Sequence, residues 1–179
     1  MWEHRARGQA ALECERPRGA VLSACGRYRY LLWRRFGPGP RPLVIGFNPS
    51  TADAVRDDPT VARCAALARR ERAGVLEVAN LYALRATDPA DVRTADDPLG
   101  PDVDAHLLDA IARADRIVAA WGSLAARPAD RSRVELVRRA AGAARRPLLC
   151  LGTTRAGAPR HPLYLRADRL LERWRADAP

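Results

Sequence analysis

The chain has 179 residues, 47% of them hydrophobic, which is enough for one domain with a real core. Its formal charge of +10 comes from 31 arginines against 21 acidic residues and favours an anionic partner, nucleic acid first, although arginines on solvated helix faces would give the same total. No apolar run reaches the length of a membrane span and the N-terminus lacks the apolar core of a signal peptide, so a cytoplasmic protein is expected and membrane classes are excluded.

Turn residues and hydrophobic periodicity divide the chain into an arginine-rich N-terminal arm, residues 1–20, and a single domain, residues 21–179. In chain order, the predicted elements are strands at 27–36 and 43–45, a helix at 60–72, a strand at 75–81, a helix at 102–114, a strand at 116–121, a helix at 131–144, a strand at 147–151 and a helix at 165–174. The first two strands flank the turn sequence GPGP and are expected to form an antiparallel hairpin.

Strands that alternate with helices predict an α/β fold with a three-layer α/β/α arrangement around a mainly parallel, four-stranded sheet. Polar residues follow the ends of successive strands at Asn48, Asn80, Ser123 and His161. Because ligands of open α/β sheets bind at the carboxyl ends of the strands, these loops are expected to converge on one site.

The cysteines provide no compact metal site. Cys14, Cys25, Cys64 and Cys150 are widely separated, so neither a metal knuckle nor a cofactor is predicted and the thiols are expected to be reduced.

Four segments resemble, in order and spacing, motifs of the uracil-DNA glycosylase superfamily. They read GFNPS at 46–50, VANLYAL at 78–84, IVAAWGS at 117–123 and PRHPLYL at 159–165. The resemblance implies the uracil-DNA glycosylase fold and a monofunctional glycosylase that hydrolyses the N-glycosidic bond of a modified or damaged base in DNA. The protein is expected to act as a monomer.

Under this resemblance the catalytic residues are Asn48, which would position a water molecule, and His161, which would donate a hydrogen bond to the departing base. An amide is a weak activator of water because it cannot take up a proton. The missing carboxylate would come from Asp53, Asp57 or Asp58, which follow in sequence.

The remaining candidate residues would bind the substrate. Asn80 offers an amide donor and acceptor for a base edge. The other candidates are Phe47 and Trp121 at the base, Ser50, Thr51 and Ser123 at phosphates, and Leu163 and Tyr164 as a wedge in the duplex. Both Phe47 and Trp121 also fit core positions, and His161 and Asn80 also fit structural roles in loops.

A closer resemblance is to an uncharacterised bacterial domain family of unknown function. It rests on GFNPSTAD followed by DDPT, on NLYALRATDP and on PRHPLY. This resemblance implies no activity.

Two other functions remain open. The predicted site could instead belong to an enzyme that acts on free nucleosides, nucleotides or nucleobases, or to a noncatalytic domain that binds nucleic acid or a nucleotide. A basic rim with an exposed apolar wedge beside His161 would favour the DNA glycosylase. A closed, acidic pocket would favour the small-molecule enzyme, and an occluded pocket the binding domain.

Overall fold

A computed structural model describes residues 16–166 and 168–175. Its centre is a seven-stranded sheet with the order β1-β2-β4-β3-β5-β6-β7. The strands are β1 (Arg18–Leu22), β2 (Arg29–Arg35), β3 (Pro42–Gly46), β4 (Val75–Asn80), β5 (Arg116–Ala119), β6 (Leu148–Cys150) and β7 (Glu172–Arg173).

The sheet is mixed. The neighbouring strands β4, β3, β5 and β6 run parallel, whereas β1, β2 and β7 pair antiparallel on the two sides. The predicted α/β class is confirmed, but a sheet of four strands is wrong because three antiparallel strands extend it. Strand β3 lies inside the sheet because it is apolar on both faces, with Leu43 and Ile45 in one core cluster and Val44 in the other.

The predicted hairpin between β2 and β3 is also wrong. Strand β2 pairs with β1 on one edge and with β4 on the other. Its residues from Arg29 to Arg34 are all buried, so β2 needs a strand on each edge to satisfy its backbone hydrogen bonds.

Helices cover both faces of the sheet. They are α1 (Pro59–Arg70), α2 (Pro89–Thr94), α3 (Val103–Arg113) and α4 (Arg131–Ala143). Val61 and Cys64 of α1 belong to the core cluster on one face, and Ile111 of α3 and Val137 of α4 belong to the cluster on the other. None of the helices within 16–166 or 168–175 combines the length and apolar composition needed to cross a bilayer.

The C-terminal helix predicted at 165–174 is wrong: a 3-10 turn at Pro162–Tyr164 precedes this range, and strand β7 lies within it. The Trp174 indole packs edge-on against Trp121 with ring centroids 5.2 Å apart, and the Trp174 backbone N–H donates to the carbonyl of Leu148. These contacts hold the segment extended along β6. Local periodicity favours a helix here because it does not report contacts with residues far away in the sequence.

The predicted N-terminal arm lies largely outside the described residues, which begin at residue 16. Strand β1 crosses the predicted boundary at residue 20 and pairs with β2.

Candidate functional site

A cleft of about 700 Å³ opens at the carboxyl ends of β3, β4 and β5 and is completed by the loop around His161. This is the edge of the sheet at which parallel strands present their loops. The cleft brings together the predicted residues Phe47, Asn48, Ser50, Thr51, Asp58, Asn80, Trp121, Ser123, His161, Leu163 and Tyr164. Asp53 is not among its lining residues.

Asn48 fastens two loops of the cleft to each other. Its side-chain amide donates to the carbonyls of Pro49, at 2.9 Å, and Ala86, at 2.8 Å. Because both amide hydrogens are used in this way, the Oδ1 oxygen is the atom of Asn48 that can accept a hydrogen bond from a water molecule or ligand.

The three candidate aspartates have different surroundings. Asp53 accepts hydrogen bonds from the backbone N–H groups of Arg56 and Val55, which lower the pKa of its carboxyl and make it a loop-stabilising residue. Asp57 pairs with the buried Arg34 at 2.6 Å. Only Asp58 of the three lines the cleft.

Asp58 is also the N-cap of α1. Its Oδ1 accepts a hydrogen bond from the Val61 backbone N–H at 2.8 Å, and the residue is only 8% exposed. Proline at the first position of the helix and an aspartate before it are a common helix start, so local sequence explains why a carboxylate is anchored here.

His161 begins the 3-10 turn at Pro162–Tyr164. Its Nδ1 accepts from the Leu163 backbone N–H at 3.4 Å, so the neutral ring carries its hydrogen on Nε2, where it can donate. Burial lowers the pKa of His161, while the Asp58 carboxylate opposes that shift. The ring is therefore neutral at physiological pH.

The lowered pKa of His161 predicts an acid-sensitive contribution to stability. The folded state binds this proton less readily than the unfolded state, whose histidine pKa is about 6.5, so stability falls as the pH drops below that value. Asparagine at 161 can still accept the Leu163 N–H but does not titrate. Urea denaturation at a series of pH values should show a steeper acid loss for wild type than for His161→Asn, and no such difference above about pH 7. If the free energies of unfolding of wild type and His161→Asn depended on pH in the same way, the lowered pKa of His161 would be contradicted.

The floor of the cleft contains a buried arginine. Arg29 is 3% exposed; its Nη2 donates to Oδ1 of Asn80 at 3.2 Å and its Nη1 donates to the carbonyl of Ala52 at 3.0 Å. Burial lowers the pKa of Arg29 to about 10, with the Asp58 carboxylate acting in the opposite direction, so the guanidinium is charged at neutral pH.

The sequence interpretation missed Arg29 as a site residue. A signal was available, because an arginine two residues before the apolar pair Leu31-Leu32 is unusual in a strand with both faces buried. Its partner Asn80 is 51 positions away, so no local pattern identifies the contact.

Gly46 allows Asn80 to occupy this floor. A Cβ atom on residue 46 would lie 2.7 Å from the Asn80 Nδ2, which is closer than a Cβ atom approaches another heavy atom in proteins. The Asn80 amide nitrogen therefore lies directly beside the end of β3.

The two aromatic candidates belong to the core as well as to the wall of the cleft. Phe47 is 3% exposed and packs against Tyr82 with ring centroids 5.1 Å apart, and Trp121 is 2% exposed. A base in the cleft could contact only the small part of each ring that is exposed to the cleft.

The rim beside His161 is apolar and accessible. Leu163 is 39% exposed and Tyr164 is 82% exposed. Thr51 and Ser123 are exposed at other points of the cleft lining.

Cys64 lines the cleft, but burial raises its pKa to about 12, which keeps it protonated. Within residues 16–166 and 168–175, no three His, Cys, Asp or Glu side chains are clustered so that they could hold a metal ion.

Comparisons with known proteins identify a family but no characterised relative. No curated protein and no solved structure matched the chain. Residues 29–163, which run from the buried arginine of the cleft floor to Leu163 on its rim, match the family described as "Protein of unknown function (DUF1643)". The expected resemblance to an uncharacterised domain family is thus confirmed, and the chain belongs to the DUF1643 family.

Proposed function

We propose that this protein is an N-glycosidase that releases a modified or damaged base from DNA, on a fold like that of the uracil-DNA glycosylases. The observation that carries the proposal is the cleft itself. It places an amide oxygen on Asn48, a carboxylate on Asp58, an amide on Asn80 and a neutral imidazole on His161 around one space of about 700 Å³. This volume accommodates a nucleoside.

The chemistry requires a water molecule on one side of the sugar and hydrogen-bond donors around the base. In the proposed reaction, the water oxygen bonds to the sugar C1′ while the bond from C1′ to the base nitrogen breaks, and that electron pair leaves with the base. Asn48 Oδ1 orients the water and Asp58 takes its proton. His161 Nε2–H donates to the departing base, whose negative charge the nearby Arg29 also stabilises. Solvent then protonates the released base.

The accessible rim supports a base that belongs to a strand. Leu163 and Tyr164 project beside His161, where an apolar side chain could fill the space that an extruded base leaves in a duplex. Extrusion of a base costs a few kcal/mol, and such a wedge offsets part of that cost.

Arginines continue from the rim across the neighbouring surface and support a polyanionic substrate. We define the basic tract as Arg63, Arg70, Arg160, Arg166 and Arg169, which line two depressions of about 230 and 660 Å³. Arg160 and Tyr164 line both the larger depression and the cleft, so the two are contiguous. Asp168 and Glu172 are the acidic residues of that depression, so arginines outnumber them. Phosphates of a bound strand would fit this tract.

The test is a cleavage assay on labelled oligonucleotides that carry uracil, hypoxanthine, xanthine or an alkylated base, in single and double strands. Treatment with alkali reveals abasic sites. We expect cleavage of at least one substrate, reduced about 100-fold in His161→Asn, because that variant keeps the turn but loses the imidazole donor. Equal cleavage by wild type and variant would contradict the role of His161.

The other outcomes separate the alternative functions. Absence of cleavage with tight, salt-sensitive DNA binding would replace the glycosidase by a noncatalytic nucleic-acid-binding domain. Absence of both cleavage and binding would favour a free nucleoside or nucleotide as the ligand.

A further inference from the structure

The hydrogen-bonding pattern at the cleft floor restricts which base edge can bind there. Oδ1 of Asn80 accepts from Nη2 of Arg29 at 3.2 Å. Arginine has no acceptor atom, so this contact forces the amide oxygen toward Arg29 and the amide nitrogen away from it. Arg29 is itself held by the carbonyl of Ala52 and buried at 3% exposure, so the amide orientation is fixed.

The Asn80 Nδ2 is consequently the group that the floor offers to a ligand. It lies beside Gly46, which also lines the cleft. Within residues 16–166 and 168–175, the Asn80 side chain hydrogen-bonds through its Oδ1, and Nδ2 remains for a ligand. An isolated asparagine could turn either its oxygen or its nitrogen toward a ligand, but here the Arg29 contact directs Oδ1 to the buried guanidinium and leaves Nδ2 beside Gly46.

The second group that can bind a base is also a donor. His161 uses Nδ1 as an acceptor for the Leu163 N–H and therefore carries its hydrogen on Nε2. The buried positive charge of Arg29 adds a field that favours electron-rich ligand atoms.

We propose that the floor selects a base edge made of acceptors alone, as on a 6-oxopurine, where the O6 carbonyl oxygen adjoins the N7 lone pair. An amino group at the same position would face the Asn80 N–H hydrogens and leave both donors unpaired. Arg29 acts in this selection as a positioning residue, because it orients the Asn80 amide. The inference rests on the proposed function, since it assigns the substrate class of that same cleft.

The test is equilibrium binding, so that it does not depend on catalysis. Fluorescently labelled single-stranded oligonucleotides would differ at one position, which carries hypoxanthine, 7-deazahypoxanthine or adenine. Hypoxanthine and adenine differ at the exocyclic position in having an acceptor or a donor there. We expect wild type to bind the hypoxanthine strand about 10- to 100-fold more tightly than the adenine strand, with the 7-deaza strand between them.

The variant Asn80→Asp gives the sharpest result. One carboxylate oxygen can pair with Arg29, and the other replaces the amide nitrogen as an acceptor, so the preference should invert in favour of adenine. The comparison variant Asn80→Ala removes both groups and should bring the two affinities together. Equal affinities in wild type, or a hypoxanthine preference retained in Asn80→Asp, would overturn the inference. If the wild-type protein cleaves none of the oligonucleotides but still binds the hypoxanthine strand more tightly than the adenine strand, the proposed glycosidase is overturned and this inference stands.

Discussion

Replacement of Asp58 by asparagine is expected to lower the rate of base release by about 1000-fold and the free energy of unfolding by about 1–2 kcal/mol, because the helix cap is kept but the buried Arg29 loses a counter-charge. Asparagine caps a helix about as well as aspartate, so the bond to the Val61 N–H is retained. The variant loses only the negative charge and the capacity to take up a proton. The effect on rate follows because Asp58 is the one aspartate of the three candidates that lines the cleft.

The measurement is single-turnover cleavage of the best oligonucleotide substrate, together with urea denaturation. Asp88→Asn is the matched control, because Asp88 caps α2 through the Ala90 N–H at 2.8 Å but is not among the lining residues of the cleft. It should cleave at the wild-type rate. Full activity in Asp58→Asn would remove Asp58 from the mechanism, whereas a large loss of stability would make its activity uninterpretable as a catalytic effect.

Replacement of Arg29 by methionine is expected to lower the free energy of unfolding by about 3–5 kcal/mol. Methionine fills much of the same space but leaves Oδ1 of Asn80 and the carbonyl of Ala52 without their donor. It also removes the positive charge that attracts the Asp58 carboxylate. Buried acceptors that lose their partner keep the full cost of desolvation, which is why the expected effect exceeds that of most substitutions.

Equilibrium urea denaturation of wild type and Arg29→Met provides the comparison. Arg27→Met serves as the control, because Arg27 is exposed two positions earlier in the chain and should change stability by no more than about 0.5 kcal/mol. If the two variants were equally stable, Arg29 would not be the structural support of the floor. A destabilised Arg29→Met that still folds should also lose discrimination between hypoxanthine and adenine.

Several elements could be predicted because their signals are local. The apolar stretches around Val44, Val78 and Val118 indicate buried strands, and the Asp-Pro pair at 58–59 precedes helix α1. The Asp-Pro pair at 88–89 precedes α2, a helix of six residues that is absent from the predicted elements. The C-terminal segment could not be predicted in this way. Its amphipathic pattern is compatible with a helix, and the packing of Trp174 on Trp121, 53 residues earlier, holds it extended instead.

The α/β class, the family and the loops around the cleft follow from the sequence alone, because strand periodicity and helix caps depend on residues close together in the chain. In contrast, tertiary contacts establish which aspartate lines the cleft and which way the Asn80 amide points. Asp53 and Asp57 differ from Asp58 in their hydrogen-bond and ion-pair partners, not in residue type. The amide of Asn80 is oriented by Arg29, which strand pairing brings into contact across 51 positions of sequence. The donor pattern of a binding site depends on such contacts, because a side chain that can both donate and accept is limited to one of the two by whichever neighbour it meets.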